Sequence, residues 1–233
     1  MIETNLAKEA IKEGKSRRSF MKYAGAAAAT SALIIAGCKK KDEAPGPTTD
    51  QGVDLGSGDT GVLNYAYALE QLEAAFYTTV AAHPKFTTTF SDAKERMMLT
   101  DIRDHEIVHR DFLKAALSTS AIPALDVNFS SINFEDRMSV LNTAKVFEDL
   151  GVSAYNGAGQ LLKSADNLLV AGKIVSVEAR HAAAIRDTLT PKMDMYENLD
   201  AAGMDKHLSP AQVLAAAAPY IKTKINASNL PTS

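Results

Sequence analysis

Apolar residues recur at helical spacing in four long stretches of the chain, with turn-forming residues between them. From 62 to 82, Leu63, Ala66, Tyr67, Leu69, Leu72, Phe76 and Tyr77 share a helix with neither Gly nor Pro inside, and Pro84 stops it. Ser91 is the expected N-cap of a second helix, about 92 to 118, built on Met97, Met98, Ile102, Ile107, Phe112, Leu113 and Leu117. A third helix starts near Glu135 or Ser139 and reaches Lys163, and a fourth runs from about 165 to 189, ahead of Pro191. About sixteen residues, 119 to 134, separate the second helix from the third, too many for a tight helical hairpin. Ser209, Pro210 and Gln212 form a capping-box start for a short helix through Ala218. Nothing alternates over enough residues to form a convincing strand. The pattern predicts an all-α fold, an antiparallel four-helix bundle over 62–190. A long crossover joins its second and third helices, and 191–233 is an extension with a short helix.

The residues before this domain carry addressing signals. Ser16-Arg17-Arg18-Ser19-Phe20-Met21-Lys22 is a twin-arginine run, followed by an Ala-rich apolar stretch from 23 to 37. That stretch is shorter than the roughly 20 residues a membrane-spanning helix needs. Ile35-Ala36-Gly37-Cys38 resembles the lipobox of bacterial lipoproteins, in which the Cys is acylated and becomes the first residue of the mature chain. Arg17 and Arg18 are therefore the expected export signal within 1–37, and Cys38 the expected lipidation site. Residues 38–61, rich in Lys, Pro, Gly and Thr, read as a flexible tether. The expected location is the bacterial cell envelope, lipid-anchored on the periplasmic side or in the outer membrane, with membrane lipid as the partner of Cys38. Cys38 is the one cysteine, so no disulfide can form within the chain.

From Cys38 onward the chain holds 19 Lys and Arg against 25 Asp and Glu, and it has no basic stripe with interleaved aromatics. That excludes nucleic acid as an expected partner.

Candidate chemistry lies in a pattern that occurs twice. Glu70 precedes Tyr77 by seven residues and Glu106-x-x-His109 follows; Glu148 precedes Tyr155 by seven and Glu178-x-x-His181 follows. Side chains three apart on a helix share a face, so each Glu and His pair can grip one ion. Four Glu and two His from four helices are the set with which bundles hold two adjacent iron or manganese ions. One Glu-x-x-His alone is weak, because charged helices produce it often. Around Glu178, however, Ile174, Val175, Val177, Ala182 and Ile185 are apolar, and an unpaired buried carboxylate there would cost roughly several kcal/mol. A spacing of seven brings each Tyr back near its Glu's face, where it could hydrogen-bond a carboxylate near the metals, act as a local redox group, or simply pack. Glu73 and Asp149 compete for the single-carboxylate roles. His105 should point about 100° away from Glu106, to a supporting or surface position. Gly151, Gly157 and Gly159 weaken the third helix and either admit a close contact or a bulge.

The segments Leu63-Asn64-Tyr65-Ala66-Tyr67-Ala68-Leu69-Glu70, Glu148-Asp149-Leu150-Gly151-Val152-Ser153-Ala154-Tyr155 and Glu178-Ala179-Arg180-His181 resemble the ferritin-like superfamily, most closely the exported bacterial ferritin-like proteins of the desiccation-related type. The resemblance implies a ferritin-like bundle in which Glu106 and Glu178 bridge two metal ions, His109 and His181 each cap one, and Glu70 and Glu148 are terminal ligands. The expected cofactors are two iron ions, or manganese. The expected function is a di-iron ferroxidase or peroxidase-type oxidoreductase acting on ferrous iron, oxygen or peroxide, with Tyr77 and Tyr155 as its catalytic aromatics. A small-molecule oxidant is then a partner, and the bundle is compatible with a homodimer. The competing expectation is a non-catalytic envelope lipoprotein with a protective or binding role. A storage cage fits a lipid tether on each subunit poorly.

Overall fold

Helix ends leave backbone groups without partners, and the boundaries of the four long helices follow from the side chains that supply them. The computed structural model describes residues 52–191 and 197–232. Within them β1 (Val53–Asp54) leads into α1 (Gly58–Ala82), the single turn α2 (Phe86–Thr89), α3 (Ala93–Leu117), α4 (Arg137–Gly159), α5 (Ala165–Leu189), α6 (Pro210–Ala217) and β2 (Ile225–Asn226). The fold is the all-α bundle that the apolar spacing predicts, with the long crossover between α3 and α4. No helix among the described residues is long and apolar enough to cross a membrane. Arg17, Arg18, Cys38 and the tether up to residue 51 lie outside the described residues.

Three boundaries differ from expectation. The tether was expected to run to Gly61, but Val53 and Asp54 pair in parallel with Ile225 and Asn226, and Leu55 is fully buried. α1 accordingly begins at Gly58, where the Asp59 carboxylate accepts from the N–H groups of Lys163 and Ser164 and from Asn167 Nδ2. That one side chain ties the start of α1 to the start of α5. α3 is capped by Asp92, which accepts from Lys94 N–H, and not by Ser91. α4 ends at Gly159 instead of Lys163, because residues 160–163 make the turn that Asp59 holds.

The remaining caps act as their sequences suggest. Asp136 accepts from Met138 N–H, Ser164 from Asn167 N–H, and Ser209 with Gln212 forms both halves of a capping box. Each such cap contributes about 1 kcal/mol.

α1 packs on α3 and α4 on α5, and the crossover is pinned along α1. Asn64 Nδ2 donates to the carbonyls of Leu55 and Ser120 while its Oδ1 accepts from Ile122 N–H. Gln71 does the same one layer along, accepting from Leu125 N–H and donating to Pro123 O. The apolar core is densest around Phe76, whose ring meets those of Tyr77, Phe129, Phe134 and Phe147 with centroids 5.0 to 6.2 Å apart. Phe76 and Phe147, both buried, each contribute about 1.5–3 kcal/mol of transfer free energy.

The chain after α5 closes over α4. Leu208 N–H donates to Ser153 O, Val213 and Ala217 of α6 are fully buried, and the Tyr220 ring meets Phe147 edge-on at 4.8 Å. Gly157 makes this closure possible, since a Cβ there would sit 1.8 Å from the carbonyl oxygen of Leu208. The glycines of the third helix thus admit close contacts, and α4 is continuous through them.

Candidate metal centre

All six residues of the repeated pattern converge in the middle of the bundle. α1 delivers Glu70, α3 delivers Glu106 and His109, α4 delivers Glu148, and α5 delivers Glu178 and His181. His109 Nδ1 lies 2.8 Å from Glu178 Oε1, 3.5 Å from Glu70 Oε2 and 3.8 Å from Glu106 Oε2. His181 Nδ1 lies 2.8 Å from Glu106 Oε1, 3.4 Å from Glu148 Oε2 and 3.8 Å from Glu178 Oε2. Two overlapping quartets result, one of Glu70, Glu106, His109 and Glu178, the other of Glu106, Glu148, Glu178 and His181. In each, one ligand atom per residue lies within 4.8 Å of all the others, and either quartet could hold a metal ion.

The four carboxylates are wholly buried, and His109 is 12% exposed at its side chain. Eight donor atoms converge without a hydrogen-bond partner: Glu70 Oε2, Glu148 Oε2, both oxygens of Glu106 and of Glu178, and the Nδ1 atoms of both histidines. The two 2.8 Å contacts are close enough for ion pairing but are not aligned as hydrogen bonds. Buried carboxylates left so cost several kcal/mol each by rough reckoning unless a cation meets them. The donor set therefore fits a metal ion on the grounds of its own unmet valences.

The electrostatics agree. Burial alone would depress His109, but the adjoining Glu106, Glu178 and Glu70 carboxylates push it up to about 12. His181 is likewise pushed up to about 12, against burial, by Glu106, Glu148 and Glu178. Burial would also raise Glu106, yet the two imidazoles hold it at about 2. Burial drives Glu148 up to about 8 in spite of His181, and drives Glu70 well above the carboxylate range, helped by the Glu178 charge. Proton affinities are thus shifted in both directions within one buried cluster, as strongly interacting charged groups shift one another.

The tyrosines are placed near the carboxylates, with partners exchanged between helices. Tyr155 Oη on α4 donates to Glu70 Oε1 on α1 at 2.5 Å, and Tyr77 Oη on α1 donates to Glu148 Oε1 on α4. This crossed pairing requires α1 and α4 to run antiparallel. It also uses one oxygen of each of these two glutamates and leaves the other, Oε2, turned to the histidines. Burial, then the facing glutamate, raises both phenols well above their usual range, so each stays protonated and donates.

Neither competitor joins the quartets. Asp149 turns away to pair with Arg186 of α5, a partner that helical spacing did not single out. Glu73 is buried beside the cluster without entering either quartet. His105 is exposed, as its angle to Glu106 predicts, yet its Nδ1 reaches His181 Nε2 at 2.9 Å with the two rings stacked.

The profile of a family described as "Ferritin-like domain" matches residues 58–191, from the first residue of α1 to just beyond α5. Among curated proteins, none matches the chain.

Proposed function

The chain belongs to the ferritin-like domain family, and from that premise we propose that its buried cluster holds two iron or manganese ions and that the protein is a membrane-tethered oxidoreductase acting on ferrous iron, oxygen or peroxide. The observation that carries this reading is the set of eight unpartnered donor atoms dividing into two quartets that share Glu106 and Glu178. Glu106 and Glu178 would serve both ions, His109 and Glu70 one, and His181 and Glu148 the other. Oxygen and imidazole donors without thiolate suit iron and manganese. Two such ions would supply paired one-electron changes, the chemistry by which oxygen or peroxide is reduced.

The rest is the work of the protein's own side chains. Full burial of the four carboxylates excludes bulk water and strengthens their pull on a cation. Tyr77 and Tyr155 fix the terminal carboxylates by holding Oε1 of each, and they stand close enough to the cluster to act as its aromatic redox groups. Beside Tyr155, an apolar cavity of about 20 Å³ lined by Leu69, Leu113 and Ile174 has room for a molecule of about the size of water, which suits a small oxidant.

Tethering is part of the same proposal and rests on sequence: Arg17 and Arg18 for export, and Cys38 for acylation in the cell envelope. Cys38→Ser is expected to release the protein from the membrane fraction.

Metal content measured by elemental analysis tests the core of the reading. Full-length protein loaded anaerobically with iron or manganese should carry near two equivalents, and the Glu106→Ala, Glu178→Ala double variant should carry none. A folded wild-type chain that binds no metal overturns it, leaving the non-catalytic envelope lipoprotein.

A further inference from the structure

Four helix ends meet at one end of the bundle, and the described chain begins there. The Asp59 carboxylate in the first turn of α1 accepts from the N–H groups of Lys163 and Ser164, just ahead of α5. Asn64 joins the carbonyl of Leu55 to that of Ser120, just past α3. α4 also finishes here, at Gly159. Gly52 and β1 therefore lie at the end that holds the start of α5 and the close of α3, and residues 38–51 precede them.

The surface at this end is apolar and basic. Leu168 and Leu169, at the start of α5, are 48% and 59% exposed, and Phe112, near the close of α3, is 45% exposed. Leu168 Cδ1 lies 3.6 Å from where a Cβ on Gly159 would be. Gly159 in turn belongs, with half-buried Leu63, Leu162 and Val170, to the wall of the apolar cavity beside Tyr155. Exposed Lys163 and Lys173 flank the two leucines, Lys173 one turn beyond Leu169 on the same face, and exposed Lys114 follows Phe112. The nearby acids have local roles: Asp59 holds the start of α5, Asp111 pairs with Arg110, and Asp166 complements the dipole of α5 in its first turn.

Exposure alone does not choose this end, because Met97 and Met138, 60% and 46% exposed, stand at the other, where Arg137 pairs with Glu95. Attachment chooses it. The fourteen residues 38–51 span at most about 50 Å fully extended, and the 25 residues of α1 alone extend for about 37 Å. With Cys38 anchored in a bilayer, the end carrying Gly52 stays within reach of the head groups, and the far end stands off by the length of the bundle.

We propose that this end of the bundle is a membrane-docking face: Phe112, Leu168 and Leu169 enter the head-group boundary of an anionic bilayer, and Lys114, Lys163 and Lys173 meet its phosphates. The inference rests on the reading that Cys38 carries the lipid anchor. Apolar side chains inserted beside lysines let a folded surface lie on a bilayer without crossing it, and such a contact adds to the hold of an acyl chain. Docking fixes the orientation of the domain and lays the half-buried edge of the cavity on the lipid side.

The chain has no tryptophan, so a single introduced one reports alone. The mature full chain carrying Leu169→Trp, and separately Met97→Trp, is to be reconstituted into vesicles of phosphatidylcholine and phosphatidylglycerol with brominated acyl chains. Leu169→Trp should lose emission to the bromines and shift to shorter wavelength, while Met97→Trp should keep the emission it shows in unbrominated vesicles. Phe112→Trp is a second probe of the same face with the same expectation, should Leu169→Trp fail to fold. Adding Lys163→Glu and Lys173→Glu to Leu169→Trp should reduce the loss of emission, and an unchanged loss overturns the lysines' part. Equal quenching at residues 169 and 97, or none at 169 in a chain that floats with the vesicles, overturns the docking face and leaves the tether intact. Mass spectrometry of the mature chain separates the two readings. Without an acyl group on Cys38 the tether falls, and the face stands or falls by quenching at residue 169 when the same vesicles are added.

Discussion

α1 and α4 are enclosed on nearly all sides, whereas α3 and α5 keep a broad face in water. α1 buries sixteen of its 25 residues and α4 thirteen of 23, against five of 25 for α3 and seven of 25 for α5. The cause is the connecting chain: the crossover covers α1 through Asn64 and Gln71, and the segment after α5 covers α4 through Leu208 and Tyr220. The enclosed pair supplies Glu70 and Glu148, one to each quartet, and the tyrosines that lock them across the interface. The half-exposed pair supplies the shared carboxylates and the histidines, one of which touches exposed His105. Rigidity at the centre thus comes from the enclosed pair, and contact with the exterior from the other.

Substitutions matched between the two pairs can break this contrast. The largest effect belongs to Gly157→Ala on enclosed α4. Its Cβ would lie 1.8 Å from Leu208 O, so the covering segment must lift and surrender the Leu208 to Ser153 hydrogen bond, costing about 3 kcal/mol in a denaturant titration. An unchanged midpoint would mean that the covering segment does not constrain α4.

Next comes the lock itself. Tyr77→Phe or Tyr155→Phe leaves a fully buried carboxylate oxygen without its donor and should cost about 2 kcal/mol in the metal-free protein, with two ions still bound on loading. Loss of one ion in either variant would show instead that the phenols are needed for occupancy. The smallest effect has the opposite sign. Gly172 on α5 has open space where a Cβ would go, so Gly172→Ala should raise stability by about 0.5–1 kcal/mol, read from the same titration.

Much of this was legible in the residues alone. Long apolar periodicity with Pro and Ser punctuation placed α5 and the capping box of α6 where they occur. The donors were visible because a helix turns spacings of three and seven into a shared face. What could not be read were relations across elements. The exchange of tyrosine partners depends on α1 and α4 being antiparallel neighbours. Asp149 and Glu73 are sorted by Arg186 and Gly151, far from them in sequence or on another helix. The start of the domain was placed late because Val53 and Leu55 find partners only in the last residues of the chain. Asp92 and Ser91 are adjacent candidates for the same cap, and local geometry chose between them.

That last pairing has a consequence for synthesis. Val53 N–H donates to Lys224 O and Leu55 N–H to Asn226 O, contacts that join the first described residues to some of the last. A ribosome releases residue 53 long before residue 225 exists, so the leading edge of the domain must wait, undocked, until residues 224 to 226 have emerged. Any chain cut short before Lys224 lacks the clasp entirely, and a truncated product would reveal itself to cellular proteases by that loose edge.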